Sequence, residues 1–513
     1  MTVIGLTIID VDRVSIRHTD MIILTLLLAV PLSTLLITLS DTLVKPFTAY
    51  HSFYHCYALG IIMPQTSKII HRQLSSTLPV AVAGDGAYLI DKKGKRYIDA
   101  SGGAAVSCLG HAHPDVTKAI IDQAQKLAFA HTAFFTSEPA EELAHTLVTE
   151  APSSIEHIYF VSGGSEAIES ALKIAKQYFF DKRQTLRTKF ISRRQSYHGN
   201  TLGALSISGN VWRRKPFEGL INPGFYISPC YPYRDQRQSE ATHDYGQRIA
   251  NELETMILRE GANTIIGFVA ETVGGATGGV QTPPPGYWSR IKEICKQYGI
   301  LLIADEVMCG MGRTGSMYAC EQESFEPDII AIAKGLGAGY QPIGAMLCSA
   351  EIVSTIKNAS GAFLGGHTYL GHPIACAAAL AVQKVIKEDN LLNHVVDLGS
   401  SFHQRLVDAF ASHPHIGDIR GRGLFWGIEL VECKGTKKPF DAEHNLHQHI
   451  KDAAMNNGLI CYPGAGTIDG KSGCHILLAP PFIITETQLV EICGKLESSI
   501  NQAIALISRN HVS

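Results

Sequence analysis

Short apolar runs alternate with helical patterns along most of the middle of the chain. Between about residues 116 and 350, runs such as 158–161 (IYFV), 299–304 (GILLIA) and 329–333 (IIAIA) are separated by segments of helical periodicity. An uninterrupted apolar run of this length is typical of a strand that is buried on both faces. The alternation therefore predicts βα units and a mostly parallel sheet.

Two of these runs end on a charged side chain, Asp305 in one and Lys334 in the other. Ligands of open α/β sheets bind beyond the carboxyl ends of the strands, so both charges are predicted to face one crevice. A carboxylate beside an amine suits a cofactor that has a basic ring nitrogen and an aldehyde, and pyridoxal phosphate is such a cofactor. Taken singly, Lys334 has the pattern of a surface lysine and Asp305 that of a helix cap.

A glycine-rich turn follows the strand predicted at 158–161. The turn at 162–167 (SGGSEA) leads into a helical pattern that continues to about Phe180. Glycines there let backbone N–H groups approach an anion, the helix dipole favours negative charge, and Ser165 adds a hydroxyl donor. The segment is therefore predicted to bind a phosphate, whereas the same four residues in isolation are often only a capped turn.

An aromatic loop follows the strand predicted near residues 190–193, and it carries Tyr197, His198 and Gly199. A ring in this place suits stacking on a flat cofactor. The alternative interpretation is a ring that packs only against its own loop.

Together these segments resemble the class III aminotransferases, which are pyridoxal-phosphate enzymes of fold type I. The resemblance extends from about residue 70 to the C-terminus. Any one of its motifs is unspecific, whereas five in the family's order are highly specific. The motifs are SGGSEA at 162–167, YHG at 197–199, ADEV at 304–307, AKG at 333–335 and GHTYLGHP at 366–373.

The resemblance implies that Lys334 and Asp305 are the catalytic residues. Lys334 is expected to hold the cofactor as a Schiff base and, once a substrate amine displaces it, to move the proton at the substrate Cα. Asp305 is expected to keep the pyridine nitrogen protonated, because a nearby carboxylate favours the charged form of the ring.

The other implied residues all bind the cofactor. Thr368 is expected to reach the phosphate of the neighbouring subunit, which makes a homodimer the functional unit. The complete set of implied cofactor-binding residues is Gly164 and Ser165 at the phosphate, Val307 and Tyr197 on opposite faces of the ring, and His198, Glu271, Asp305, Lys334 and Thr368.

The implied fold class is α/β, with a large domain around a mostly parallel seven-stranded sheet and a smaller α+β domain built from both chain ends. The expected boundaries are 63–115 for the first part of the small domain, 116–375 for the large domain, and 376–513 for the second part. A chain of 513 residues exceeds one ordinary core, which agrees with two domains.

Two patterns describe the small domain in more detail. Residues 88–98 predict a hairpin around Gly94. From about residue 376 the pattern predicts a long helix, and short strands follow near residues 423–430.

Composition argues against several other classes of protein. A net charge of -3 with 18% charged residues disfavours a nucleic-acid-binding surface. The 12 cysteines form no Cys-x-x-Cys pair and several lie in apolar runs, which suits reduced thiols in a cytoplasmic protein. Histidine is plentiful at 22, but the pairs His111 and His113, and His413 and His415, lack partners at metal-ligand spacing, so no metal site is predicted.

The N-terminus does not fit this enzyme. Residues 21–40 are uncharged and mostly apolar, which is long enough for a tilted membrane span. Arg13 and Arg17 precede the segment, so the positive-inside rule would place the enzyme outside the cytosol that supplies its keto acids. Met63 directly precedes the family-like region. The alternatives are a genuine membrane anchor and an extension, residues 1–62, that is read from too early a start codon.

The implied reaction is a ping-pong transamination from an amine or ω-amino acid to a keto acid. Many members of the family carry an Arg two residues before Ala-Pro-Pro, and others carry one before an earlier Pro. This chain has Leu477 and Tyr462 at those places, and neither offers the bidentate fork that suits carboxylates. Pyruvate is therefore expected as the acceptor rather than 2-oxoglutarate.

Three other cations are candidates for the missing carboxylate clamp. Lys471 lies in what looks like an inserted loop at 466–473, and Arg420 and Arg422 precede glycines in turns that are usually structural in the family.

Other functions stay open on the same residues. A diaminopelargonate-type aminotransferase, an aminomutase or a decarboxylase would keep every cofactor residue. A ligand-sensing module fused to a DNA-binding domain would need a basic helix-turn-helix at one end, where this chain has an apolar segment. A catalytically dead relative is expected to have lost Lys334 or Asp305, and both are present.

Overall fold

The computed structural model describes residues 67–74 and 76–510. The extension at 1–62 and its candidate span at 21–40 lie outside the described residues. Among the described helices, none combines the length and the apolar character that crossing a membrane requires.

The strands are numbered in chain order through the described residues. They are β1 (Ala81–Asp85), β2 (Tyr88–Asp91), β3 (Arg96–Asp99), β4 (His157–Val161), β5 (Lys189–Arg193), β6 (Phe225–Ile227), β7 (Ile265–Glu271), β8 (Leu301–Asp305), β9 (Ile329–Ile332), β10 (Gly344–Cys348), β11 (Ile416–Arg422), β12 (Phe425–Leu430), β13 (Leu459–Ile460), β14 (Tyr462–Ala465) and β15 (Cys474–Leu478).

The α-helices are numbered in the same way, and short 3₁₀ turns occur between them. The helices are α1 (Gly102–Ala105), α2 (Pro114–Lys126), α3 (Glu138–Thr149), α4 (Gly164–Asp181), α5 (Leu202–Ile207), α6 (Val211–Arg214), α7 (Pro232–Asp235), α8 (Thr242–Glu260), α9 (Tyr287–Tyr298), α10 (Ala319–Gln322), α11 (Ala350–Asn358), α12 (Pro373–Glu388), α13 (Leu391–Phe410), α14 (Leu446–Asn456) and α15 (Glu486–Asn510).

The largest sheet has seven strands, in the order β4, β10, β9, β8, β7, β5, β6. Neighbours from β9 to β6 pair in parallel, and β10 alone runs antiparallel to both of its neighbours. The prediction of a mostly parallel seven-stranded sheet is confirmed. Because β10 reverses direction between them, β4 runs parallel to β9, and the carboxyl ends of both strands lie at one edge.

Helices cover this sheet on both faces, which explains why its central strands are apolar without interruption. In β8, Leu302 packs in a core with Trp288 of α9, whereas its neighbour Leu301 packs in a second core with Ala171 of α4. All five residues of β8 are buried. The strand is apolar without interruption because its side chains pack against helices on both faces of the sheet.

Two four-stranded sheets complete the described fold, one in the order β1, β2, β3, β13 and the other in the order β11, β12, β15, β14. The predicted hairpin forms between β2 and β3, and Gly94 takes a positive φ of 79° in its turn. β3 precedes the strands of the large sheet in the sequence and β13 follows them, and the two pair in parallel. Residues from Pro79 onwards form one compact unit, and the domain boundaries at 115 and 375 stay predictions.

The predicted long helix is two helices, α12 and α13. Asn390 stands between them in the left-handed conformation, with φ 52° and ψ 38°, and this residue interrupts the helix. Asn tolerates that conformation better than other residues with a Cβ, which is a local signal that the apolar periodicity does not contain.

The predicted loop at 466–473 connects β14 to β15 in a hairpin. In this hairpin Tyr462 is directly opposite Leu477. Leu477 is fully buried, with 0% of its surface exposed, in an apolar cluster that also contains Met308 and Phe425.

We predict that two helix glycines respond in opposite ways to alanine. A Cβ at Gly399 in α13 would lie 2.4 Å from the main-chain oxygen of Gly423, whereas a Cβ at Gly494 in α15 would meet nothing within 4 Å. Gly399→Ala should destabilise the fold by about 1–3 kcal/mol because backbone must move. Gly494→Ala should stabilise it by about 0.8 kcal/mol through helix propensity. Thermal denaturation of both variants checks this, and a stabilised Gly399→Ala protein would contradict the packing.

Candidate active site

Four neighbouring strands of the large sheet end in polar side chains at one edge. β5 ends at Arg193, β7 at Glu271 and β8 at Asp305, and Lys334 follows β9. In the parallel register Glu271 is opposite Asp305, and Asp305 is opposite Ala331, three residues before Lys334. The structure thus places Asp305 and Lys334 at adjacent strand ends.

Asp305 is buried and is held by two hydrogen-bonding groups. Its Oδ2 lies 2.8 Å from Nδ1 of His198, and its Oδ1 accepts a hydrogen bond from the backbone N–H of Val307 at 3.0 Å. The backbone N–H of His198 donates to Ser208 at 2.9 Å, which fixes the imidazole from its own loop. A carboxylate fixed from two sides presents one orientation to a ligand in the crevice.

The glycine-rich turn and the aromatic loop meet at Ser165. The long helix α4 begins at Gly164, so its first N–H groups point out of the turn. The Oγ of Ser165 accepts a hydrogen bond from the backbone N–H of Asn200 at 3.0 Å. A Cβ at Gly199 would lie 2.8 Å from that same Oγ, so the two segments approach as closely as a glycine allows.

Gly164 also touches the segments that follow β8 and β9. A Cβ at this position would lie 2.8 Å from Cγ1 of Val307 and 3.6 Å from the Cβ of Ala333, the residue before Lys334. The three motifs that are far apart in sequence therefore enclose one space.

Lys334 has an unusual backbone conformation, with φ at 48°. It opens a 3₁₀ turn, Lys334–Leu336, and its main-chain oxygen accepts hydrogen bonds from the N–H groups of Gly337 at 3.1 Å and Ala338 at 3.0 Å. A positive φ is costly for a side chain of this kind, and such strain concentrates at functional sites.

Glu271 is buried beside Arg193, a residue that the sequence reasoning missed. The Arg193 guanidinium donates a hydrogen bond to the main-chain oxygen of Glu271 and lies 4.0 Å from its Oε2. Oε1 accepts from the N–H of Gly275 at 3.2 Å. Burial raises the pKa of the Glu271 carboxyl, and the nearby His198 and Arg193 oppose that rise. Arg193 ends β5 as Asp305 ends β8, and its place at the end of a predicted strand was the available signal.

Tyr197 and Thr368 differ in their surroundings. Tyr197 is half-buried, and the guanidinium carbon of Arg213 lies 4.9 Å from the centre of its ring. Thr368 is exposed in the segment between α11 and α12, and its contact with a neighbouring subunit stays a prediction.

The two arginines proposed for the missing clamp are held in ion pairs. Arg420 is buried and lies 2.7 Å from Asp418 and 2.8 Å from Glu429. Arg422 lies 2.7 Å from Glu323. Neither guanidinium is therefore available to a substrate carboxylate without breaking these pairs.

The arrangement fits pyridoxal phosphate on observations of this chain. Nε2 of His198 is buried with no hydrogen-bond partner among the described residues. The space beside Gly164 is closed by Val307, at a distance that a single added carbon would fill. An 18-residue helix and the Ser165 hydroxyl offer donors for a phosphate, and Asp305 offers an acceptor for a ring N–H.

Comparison with known proteins points to one family. The profile of the family described as Aminotransferase class-III matches residues 69–500. An uncharacterized aminotransferase of Schizosaccharomyces pombe is 44% identical over 430 residues, which cover 84% of this chain and 94% of that protein. A probable mitochondrial gamma-aminobutyrate transaminase 3 of Oryza sativa subsp. indica is 37% identical over 417 residues, which cover 80% of each chain.

A solved structure supports the fold type. The omega transaminase from Pseudomonas jessenii, in complex with PMP, aligns with a TM-score of 0.80 and 33% identity. The alignment covers 87% of this chain and 97% of that one. The large mixed sheet and these neighbours identify the architecture as fold type I.

We predict that alanine at two successive glycines has different effects on cofactor affinity. Gly164→Ala should weaken pyridoxal-phosphate affinity about 10- to 100-fold, because the new methyl group displaces Val307. Gly163→Ala is the matched control, since a Cβ there meets nothing within 4 Å and its φ of 176° is open to any residue. Equilibrium ultrafiltration measures both dissociation constants. Equal affinities in the two variants would remove Val307 from the cofactor site.

Proposed function

The chain belongs to the class III aminotransferases, and from that membership we propose a pyridoxal-phosphate-dependent transamination with an amine or ω-amino acid as donor and pyruvate as the preferred acceptor. The observation that carries the proposal is the placement of Lys334 and Asp305 at adjacent strand ends, with His198 holding the carboxylate. The two half-reactions follow a ping-pong order, because one crevice serves donor and acceptor in turn.

The chain's own residues divide the chemical work. Pyridoxal phosphate, when bound, supplies an aldehyde for the amine and a ring that accepts electrons from the substrate Cα. The Lys334 amine holds the cofactor and then takes and returns the proton at that carbon. Asp305 pairs with the ring nitrogen and favours its protonated form, and His198 keeps the carboxylate in place.

The remaining cofactor contacts are positional. Gly164 and Ser165 bind the phosphate at the start of α4, where the helix dipole favours negative charge. Val307 and Tyr197 hold the ring between them, and Glu271 borders the crevice beside Asp305. Together these residues fix the orientation of the reacting carbon relative to Lys334.

Two observations support ω-amino acids and pyruvate. The relative from Oryza sativa is named as a probable gamma-aminobutyrate transaminase, and the structural neighbour as an omega transaminase. In addition, Leu477 is fully buried, and Arg420 is bound to Glu429 at 2.8 Å. A dicarboxylate would therefore bring a second charge that has no fixed partner.

We also propose a cytoplasmic homodimer in which Thr368 completes the neighbouring subunit's phosphate site. The support is apolar exposure at its loop, where Leu364 is 74% exposed and Tyr369 is 61% exposed, and the ring of Phe129 packs 5.7 Å from that of Tyr369. Contiguous apolar exposure of this kind marks an interface.

Lys334→Ala should abolish transamination and the covalent retention of cofactor after borohydride reduction. The reason is that the proposed mechanism gives both the cofactor link and the proton transfer to this one amine. Lys384→Ala, on the exposed face of α12, is the control and should behave as the unmodified protein. Peptide mass spectrometry locates the reduced cofactor. A Lys334→Ala protein that still carries it covalently would overturn the assignment.

Pyruvate should exceed 2-oxoglutarate in kcat/KM by a few orders of magnitude. An unpaired buried carboxylate costs about 3–5 kcal/mol, which corresponds to that ratio. A spectrophotometric screen with one amine donor and both acceptors measures it. Faster turnover with 2-oxoglutarate would show that another cation serves the second carboxylate, and the acceptor assignment would be withdrawn.

A further inference from the structure

A short helix behind the aromatic loop carries an arginine that packs on the ring of Tyr197. Arg213 lies in α6, and its guanidinium carbon is 4.9 Å from the ring centre of Tyr197 and 4.4 Å from that of Trp212. Two aromatic neighbours restrict the plane of the guanidinium, so less rotational freedom is lost when it binds a planar anion.

Arg213 lines a cavity of about 390 Å³ between α6 and the β14–β15 hairpin. Tyr462 and Lys471 line the same cavity from the hairpin side, and Ala276 lines it from the turn that follows β7. Ala276 follows Gly275, whose N–H donates to Glu271 at 3.2 Å. The cavity therefore begins beside the strand ends that form the crevice.

The charge of Arg213 is not matched by a carboxylate among the described residues. Its Nε is buried without a hydrogen-bond partner there, and no acidic side chain in the described part of the chain forms an ion pair with it. The neighbouring Arg214 differs, because it donates to the main-chain oxygens of Leu205 at 2.9 Å and Ser208 at 3.2 Å. Arg214 thus holds the loop together, whereas Arg213 lines the cavity and has no acidic partner among the described residues.

We infer that Arg213, assisted by Lys471, binds the substrate carboxylate and replaces the arginine clamp that Leu477 and Tyr462 cannot provide. The inference rests on the proposed transamination and names the substrate class of that site as monocarboxylates: an ω-amino acid as donor and a keto monoacid as acceptor. Arg213 is a specificity-determining residue in this assignment, since it contacts the carboxylate and not the reacting carbon.

The chemistry of the cavity suits one carboxylate. The guanidinium fork binds a carboxylate through two parallel hydrogen bonds, and Lys471 adds a second positive charge from the opposite wall. His447 also lines the cavity, and burial, with help from His449 and Lys451, lowers the pKa of its imidazole. His447 is therefore neutral at pH 7, and the positive charge comes from Arg213 and Lys471.

A single carboxylate site also explains the proposed preference for pyruvate over 2-oxoglutarate. The donor carboxylate and the pyruvate carboxylate occupy the site in successive half-reactions. A dicarboxylate satisfies one charge there, and its second carboxylate has no fixed cation, because Arg420 and Arg422 are already held in ion pairs.

The first test compares 4-aminobutanoate with butan-1-amine as donors, using the holoenzyme. The ratio of their kcat/KM values should fall about 10- to 100-fold in Arg213→Met, because a charge-assisted bidentate contact is lost. Arg213→Lys should fall in between, since it keeps the charge without the fork. Lys215→Met removes a nearby exposed charge and should leave the ratio unchanged.

The second test measures binding without turnover. Calorimetry should show that unmodified holoenzyme prefers butanoate to the isosteric butanamide, and that Arg213→Met and Arg213→Gln lose this preference. An unchanged preference in both variants would overturn the assignment of Arg213.

The two proposals fail in different ways. Absence of turnover with both donors and pyruvate would reject the proposed function, while calorimetry would still decide the role of Arg213. Normal turnover together with an unchanged donor ratio and an unchanged butanoate preference in Arg213→Met would reject the carboxylate site alone.

Discussion

The parallel register of β5, β7, β8 and β9 is the constraint on which the site depends. It brings Glu271 directly opposite Asp305 at a buried edge. The negative charges of the two carboxylates repel each other there, and both groups lose hydration. Arg193 and His198 approach from the neighbouring segments and offset that cost. The sequences of the segments at this edge are therefore constrained, because they must provide polar side chains that stabilise the carboxylates of Glu271 and Asp305.

Close approach of backbone is the second requirement, and it follows from the first. The turn at Gly164 packs against the Val307 side chain, and Gly199 packs against the hydroxyl of Ser165, so the segments after β4, β5 and β8 support one another at positions where only a glycine fits. A space enclosed in this way has rigid walls. Rigid walls favour catalysis because the donors are already oriented when a charged ligand enters.

The sequence predicts the parts of this arrangement that local patterns contain. Apolar runs identify the central strands, and the charges that end those runs identify Asp305 and Lys334. Residues that reach the site only through tertiary contacts have no such local pattern in the sequence. Arg213 is one of two adjacent arginines, and only the packing against Tyr197 and the hydrogen bonds of its neighbour distinguish the two. The break at Asn390 was missed because the apolar periodicity continues across it.

The reversed direction of β10 has a consequence for the order of folding during synthesis. Among the described strands β4 pairs with β10 alone, so His157–Val161 stays without a strand partner until Gly344–Cys348 has been made. Loop closure over that separation costs entropy before any contact compensates it. The turn that follows β4 therefore gains its place at the edge of the sheet only after the chain has been made as far as Cys348.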